Sequence, residues 1–277
     1  MTTTGRSTPI LVLDGEITPV RVLARDVWRS RDLLAVLARK EFFVRYRRAS
    51  FGLVWAIGIP LVQALVLAVV LRHFVKFQTP ASYPVFVFSG VSAWNFFSTG
   101  ISTATSSIVD NRDISTKIYF PRSVFPSMTV LSGLYGLALT AVLLVILNAA
   151  YGTPPGIDTL ILIPAIALNL VLTLTAGLVL AALQVYFRDV KFLVQAGLIA
   201  WFYLTPVFYP LHSVGSISAW LRANPVTGVV ELFRLATVGA DPGWTVAVWW
   251  SLAWSAALFV VATVLYRRFD RSFADLL

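Results

Sequence analysis

RKEFFVRYRRASFGLVWAIGIPLVQALVLAVVL, residues Arg39–Leu71, carries six charges in its first ten residues and none in the 23 from Ala49 to Leu71. A charge-free apolar run of that length reaches across a bilayer core, which takes about 20 residues of helix. No water-facing helix would tolerate it. Arg45, Arg47 and Arg48 on its near shoulder are what a cytoplasmic flank carries, while Arg72 and Lys76 beyond its far end can snorkel to the other interface.

The pattern recurs along the chain. Charge-free runs lie at Phe77–Val109, Ser123–Ile157, Thr159–Phe187, Phe192–Trp220 and Gly243–Tyr266. Prolines and polar clusters trim all six runs to helices near 51–72, 85–108, 124–150, 159–183, 192–209 and 244–266. The apolar residues are continuous and do not alternate at period two, which excludes a barrel. The expected fold is an all-α integral membrane protein with six transmembrane helices. Composition agrees: of 277 residues 58% are hydrophobic and 13% charged, against about 25% charged in soluble domains.

Six spans put both termini on one side. With the ends inside, the arm 1–48, the loops 110–122 and 184–191 and the tail 267–277 hold eighteen of the 22 Lys and Arg. Arg72, Lys76, Arg222 and Arg234 are left outside. Both ends are therefore expected in the cytoplasm. The net charge of +9 reflects this sidedness and is no nucleic-acid footprint. Residues 1–29 read as a retained cytoplasmic arm, 30–48 as an interfacial helix, and 49–277 as the transmembrane domain with a short tail. In the interfacial helix Leu33, Leu37 and Val44 fall on one face, with Lys40 among them.

Outside, 151–158 is a short Pro–Gly turn. The stretch NPVTGVVELFRLATVG, Asn224–Gly239, is too interrupted to span and too apolar to float in water. It is expected to form re-entrant helices between the fifth and sixth spans, with Asn224, Pro225, Glu231 and Arg234 as its marker residues. Broken backbone at that depth is acceptable only under protein cover.

Several chemistries are excluded. The chain has no cysteine, hence no thiolate or disulfide chemistry. His73 and His212, far apart in sequence, read as polar loop residues. All thirteen carboxylates fall in the arm, tail or loops, so no proton relay crosses the spans. No P-loop, nucleophile elbow or zinc-protease motif occurs. The chain reads as a transport subunit and not an enzyme; another chain must supply the energy.

The loop VDNRDISTKIYFPRSVFPSMTV, 109–130, resembles the first inner loop of permease subunits in type-2 ABC exporters of polysaccharides, the O-antigen and teichoic-acid class. The matching residues are Asn111, Lys117, Ile118, Tyr119, Phe120, Pro121, Arg122 and Pro126. Four further stretches are similar in order and spacing: 31–61, YFRDVKFL at 186–193, LTPVFYP at 204–210 and NPVTGVVELFR at 224–234. The resemblance runs from about residue 30 to the tail.

It implies a homodimeric permease in a bacterial inner membrane, with two copies of a separate ABC ATPase carrying ATP and Mg, and no cofactor or metal on this chain. Asn111, Arg112, Lys117, Tyr119, Phe120, Pro121, Arg122, Arg188 and Asp189 become the expected ATPase-coupling contacts, the prolines stiffening the turn into the third span. The substrate path for a lipid-linked glycan is expected at the dimer axis, lined by Phe86, Trp94, Phe97, Trp201, Tyr203 and Tyr209, whose rings can face sugar CH groups. Interfacial anchoring is the plainer role for such aromatics. A permease for a drug, antibiotic or lipid, an ion-coupled carrier and a membrane-embedded glycosyltransferase remain alternatives; the missing intramembrane carboxylates weigh against the last two.

Overall fold

The computed structural model describes residues 31–47, 49–74, 83–112, 122–152 and 154–269, and these form helices and turns with no strand. In chain order the elements are α1 (Arg31–Tyr46), α2 (Val54–Phe74), α3 (Tyr83–Asp110) and α4 (Val124–Ala150). A 3-10 turn (Ile157–Ile161) leads into α5 (Leu162–Tyr186), followed by α6 (Val190–Leu204). A second 3-10 segment (Leu211–Ile217), α7 (Ser218–Arg222), α8 (Thr227–Leu235) and α9 (Trp244–Phe269) follow.

Among the described residues three helical stretches are long and apolar enough to cross a membrane on their own: Val124–Ala150, Ile157–Tyr186 and Trp244–Tyr266. Val54–Val70 and Val190–Leu204 are shorter apolar helices. α3 has 28 residues, about 42 Å at 1.5 Å per residue, but its serines and threonines dilute its hydropathy. These six helices fall on the six stretches expected from the sequence, the fifth of them ending short.

The hydroxyls of α3 are explained by its place. It is the central helix, packed against α2, α4, α5, α6 and α8, and 18 of its residues are buried. A buried hydroxyl without a partner would cost free energy, so each turns back on its own helix. Ser89, Ser92, Thr105 and Ser107 donate to the carbonyls of Phe86, Phe88, Ile101 and Ala104 at 2.7–2.8 Å. Small residues let α5 come close: a Cβ on Gly177 would sit 2.8 Å from the Ala104 methyl. Asn169 of α5 donates across to the Ala93 carbonyl at 3.0 Å.

The bundle has two distinct ends. At one, Leu34, Ile108, Val124, Phe125, Ala181, Ala182 and Tyr266 share a buried cluster, so α1, the end of α3, the start of α4 and the ends of α5 and α9 meet. At the other, Tyr83 donates to the Phe208 carbonyl at 2.7 Å and Asn148 to the Thr237 carbonyl at 3.1 Å. That second end carries the whole 205–243 segment.

Two details depart from the sequence expectation. The buried stripe of α1 is Leu34, Ala38 and Phe42, not Leu33, Leu37 and Val44. The i, i+4, i+8 row runs obliquely across α1, and small Ala38 allows close approach to α4, where the Phe42 ring lies 5.3 Å from that of Tyr135. Lys40 thereby stays exposed. The fifth span was expected over 192–209, yet α6 ends at Leu204. The residue before a proline is pushed out of the helical region, and Thr205, ahead of Pro206, is extended at φ −103°, ψ 136°.

Candidate functional site

Ending α6 after 15 residues covers only about 22 Å of a ~30 Å hydrocarbon core. The chain must finish the crossing as irregular backbone, whose carbonyls have no helical donors. Thr205, Pro206 and Val207 are nevertheless buried. The donor comes from α8: the Arg234 guanidinium gives Nη2–H to the carbonyls of Pro206 and Val207, the latter at 3.1 Å. Its Nη1 donates to Glu231 Oε1 at 2.7 Å, one helical turn back. Both side chains are within 1% of complete burial. The Phe86 ring of α3 lies beneath the guanidinium, 3.8 Å from its carbon, a cation–π contact strengthened by desolvation.

The carboxylate chain continues. Glu231 Oε2 accepts the Asp241 backbone N–H at 2.9 Å. Asp241, only 6% exposed, accepts the Leu211 N–H on Oδ2 and pairs with His212 Nδ1 through Oδ1 at 2.6 Å. Four ionisable residues from α8, the α8–α9 turn and the second 3-10 segment thus lock around the break in α6. A buried ion pair survives only when its remaining donors and acceptors are met. Here the two helix-free carbonyls and two backbone N–H groups meet most of them.

A second clasp holds the start of α8. Asn224 Oδ1 accepts from Trp201 Nε1 at 3.1 Å and from the Val226 N–H at 3.0 Å. Its Nδ2 donates to Leu204 O and Thr205 Oγ1 at 3.1 and 2.9 Å. On the α9 side Ser251 donates to the Pro225 carbonyl at 2.5 Å and Trp254 to that of Ala223 at 3.0 Å. Gly228 is needed there, because a Cβ would strike the Ala247 carbonyl. The re-entrant expectation for 224–239 gains its physical content here: Val229, Val230 and Phe233 are fully buried. Arg234, counted as an outer loop charge in the sequence reading, is one of the most buried side chains in the protein. His212 is more than a loop residue, and Asp241, which pattern reading did not single out, is the hub. Nothing in the turn sequence ADPG signals that role.

The expected coupling residues fall at the opposite end. Asn111 folds back to cap α3, donating to the Ser107 carbonyl at 2.8 Å. Arg112 is exposed and Arg122 half-buried beside the start of α4. Arg188 and Asp189 are exposed in the α5–α6 turn, which Gln184 stiffens: its amide donates to the Arg188 carbonyl at 3.0 Å and accepts the Lys191 N–H at 2.7 Å. Lys117, Tyr119, Phe120 and Pro121 lie outside the described residues.

The expected path residues separate into two groups. Phe86, Trp94 and Phe97 are buried in α3. Trp94 and Phe97 meet Trp201 edge-on at 6.4 and 5.4 Å between ring centroids, and Trp94 meets Phe202 at 5.7 Å. Tyr203 is 62% exposed, and Tyr209, partly buried, donates to its carbonyl at 3.1 Å. Among the described residues no cluster of His, Cys, Asp and Glu fit to hold a metal occurs.

The family described as ABC-2 type transporter matches the chain over residues 32–238, from α1 to the end of the re-entrant segment. The O-antigen export system permease protein RfbA of Myxococcus xanthus is 34% identical over 219 residues, covering 76% of this chain and 82% of that protein. A protein of the same name from Klebsiella pneumoniae is 31% identical over 206 residues, covering 73% and 79%.

Proposed function

Since the chain belongs to the ABC-2 type transporter family, we propose that it is the membrane-spanning permease subunit of an ATP-driven exporter that moves a lipid-linked polysaccharide out of the cytoplasm. The observation that carries the reading is the extent of the likeness to proteins named for O-antigen export: it runs through about three quarters of this chain and about four fifths of theirs.

In this reading two copies of the chain stand side by side in a bacterial inner membrane with both termini in the cytoplasm, and two ABC ATPase chains carry the ATP and Mg. The bundle end with Asn111, Arg112, Arg122, Arg188 and Asp189 meets the ATPase, together with Lys117, Tyr119, Phe120 and Pro121. Two features support that assignment. Gln184 braces the α5–α6 turn with two hydrogen bonds, and Asn111 and Arg122 stand at the ends of α3 and α4 that carry the buried Ile108–Val124–Phe125 cluster. Motion there tilts whole helices, since packed cores respond as rigid bodies.

The path runs between the copies along the exposed side of α6, with α3 behind it. Tyr203 and Tyr209 present aromatic surface to the glycan, and Phe86, Trp94, Phe97 and Trp201 set the position of that wall from behind. The 205–243 segment forms its outer margin.

The test is depletion of this protein in its host with quantification of lipid-linked glycan on the cytoplasmic side. Build-up of a long polymer with its loss from the envelope is the expected result. Unchanged glycan in both places overturns the polysaccharide reading.

A further inference from the structure

Between α1, α2, α3 and α4 lies a groove of about 350 Å³, a size within the usual range of small-ligand sites, about 300–1,000 Å³. Its lining runs along α3 from Ser92 to Thr103, about 16 Å of helix rise, from mid-bundle towards the α1 end. It has room for a short glycan and none for a polymer.

The lining is chemically graded. At the α1 end stand Arg45 and Tyr46; along the wall lie Asn95, Thr99 and Thr103; at the flank is Trp55. Thr103 spends its hydrogen on the Thr99 carbonyl at 2.9 Å, which leaves its oxygen free to accept. The Asn95 amide is held by Gln63 of α2 at 3.0 Å. Trp55 and Ile59, 43% and 57% exposed, continue the groove onto the apolar outer face of α2. Gly133 and Gly136 of α4 open its floor.

Arg45 is exposed and, among the described residues, has no ion-pair partner. A second, shallower cavity of about 430 Å³ at the α1–α2 elbow shares Tyr46 and adds Lys40 and Arg47. No carboxylate lines either cavity. Arg45 thus stands at the end of a hydroxyl-lined slot that opens onto apolar surface, with Lys40 and Arg47 in the neighbouring cavity. An arginine fork matches phosphate oxygens, threonine oxygens accept from sugar hydroxyls, and the exposed α2 face suits a long hydrocarbon chain.

We propose that this groove binds the head of a membrane-embedded glycan lipid, with its phosphate against Arg45 and the first sugar against Asn95, Thr99 and Thr103. The proposal rests on the exporter reading and gives it a loading site built within a single copy of the chain.

The test uses the full-length chain in lipid nanodiscs and native mass spectrometry. Three probes are compared: a polyprenyl diphosphate carrying one N-acetylhexosamine, the same polyprenyl diphosphate without sugar, and phosphatidylglycerol. Arg45→Gln is expected to weaken both diphosphates about tenfold or more, the usual scale for a lost charge-assisted hydrogen bond. Thr99→Val with Thr103→Val, close in shape to the original, should weaken the sugar-bearing probe alone. Equal binding of sugared and bare diphosphate by the wild type overturns the sugar site, and equal displacement by phosphatidylglycerol makes the groove a general lipid contact. Wild-type binding untouched by either variant moves the site elsewhere and leaves the export reading standing. Loss of the export reading is seen separately, as a wild type that retains no glycan lipid together with unchanged glycan in depleted cells.

Discussion

Replacing Arg234 with methionine keeps the length and apolar stem of the side chain and removes everything its guanidinium does. The structure itemises the loss. Glu231 keeps its bond to the Asp241 N–H but is left as a fully buried carboxylate without its cation. Orphaning one member of a buried pair costs about 3–5 kcal/mol. The Pro206 and Val207 carbonyls lose their donor, at about 1–3 kcal/mol for each buried group left unsatisfied. The stacking on Phe86 goes too, worth about 2 kcal/mol when desolvated. These terms share one side chain and do not add, but the loss should exceed about 4 kcal/mol, a large part of the ~5–15 kcal/mol that holds a domain together. Glu231→Gln should cost about 3 kcal/mol or more, because it leaves the guanidinium as the uncompensated charge. The double variant should be less damaged than the sum of the two, since it buries no lone charge. The assay is a double-mutant cycle on thermal inactivation half-life in detergent, read by monodispersity. An Arg234→Met protein as long-lived as wild type, or strictly additive effects in the cycle, would refute the idea that this pair holds the broken end of α6.

Asn224→Ala should cost about 2–4 kcal/mol, because four hydrogen bonds around one amide disappear and the buried Thr205 and half-buried Trp201 groups are left short; the same inactivation assay checks it. Gly228→Ala should lower stability by about 1–3 kcal/mol through overpacking against α9, whereas Gly197→Ala, with open space at its Cβ position, should be neutral in a parallel measurement. Trp94→Ala should destabilise by about 3–5 kcal/mol as a core aromatic, while Tyr203→Ala, exposed on α6, should stay within about 0.5 kcal/mol of wild type and still reduce glycan export. Reversing charge at Lys117 and Arg122 together should leave membrane insertion intact and uncouple the partner's ATP hydrolysis from export; normal export by a well-expressed double variant would count against the coupling role.

Which stretches become helices, and that they belong in a bilayer, could be read directly from the chain. Charge-free runs about 20 residues long leave no other stable state for the backbone, so Ala49–Leu71 and its five counterparts determined the class of fold by themselves. The apolar, interrupted character of Asn224–Gly239 likewise identified a segment that neither spans nor floats. The family likeness was legible because five motifs keep their order and spacing.

What the chain could not disclose is which polar groups meet. Glu231 and Arg234 are three residues apart and could have been an exposed helix pair worth little. They are a buried clamp because the break that Pro206 imposes on α6 leaves two carbonyls needing a donor from another element, nearly thirty residues away. Asp241 and His212 join through the same three-dimensional closure, and no local pattern marks either. The α1 seam went to Leu34, Ala38 and Phe42 because α4 offers space there, and the Arg45–Thr99–Thr103 groove exists only once four helices have packed. Local hydrophobicity is a property of the chain alone. Satisfaction of buried donors and acceptors depends on neighbours far apart in sequence, and only the tertiary structure decides it.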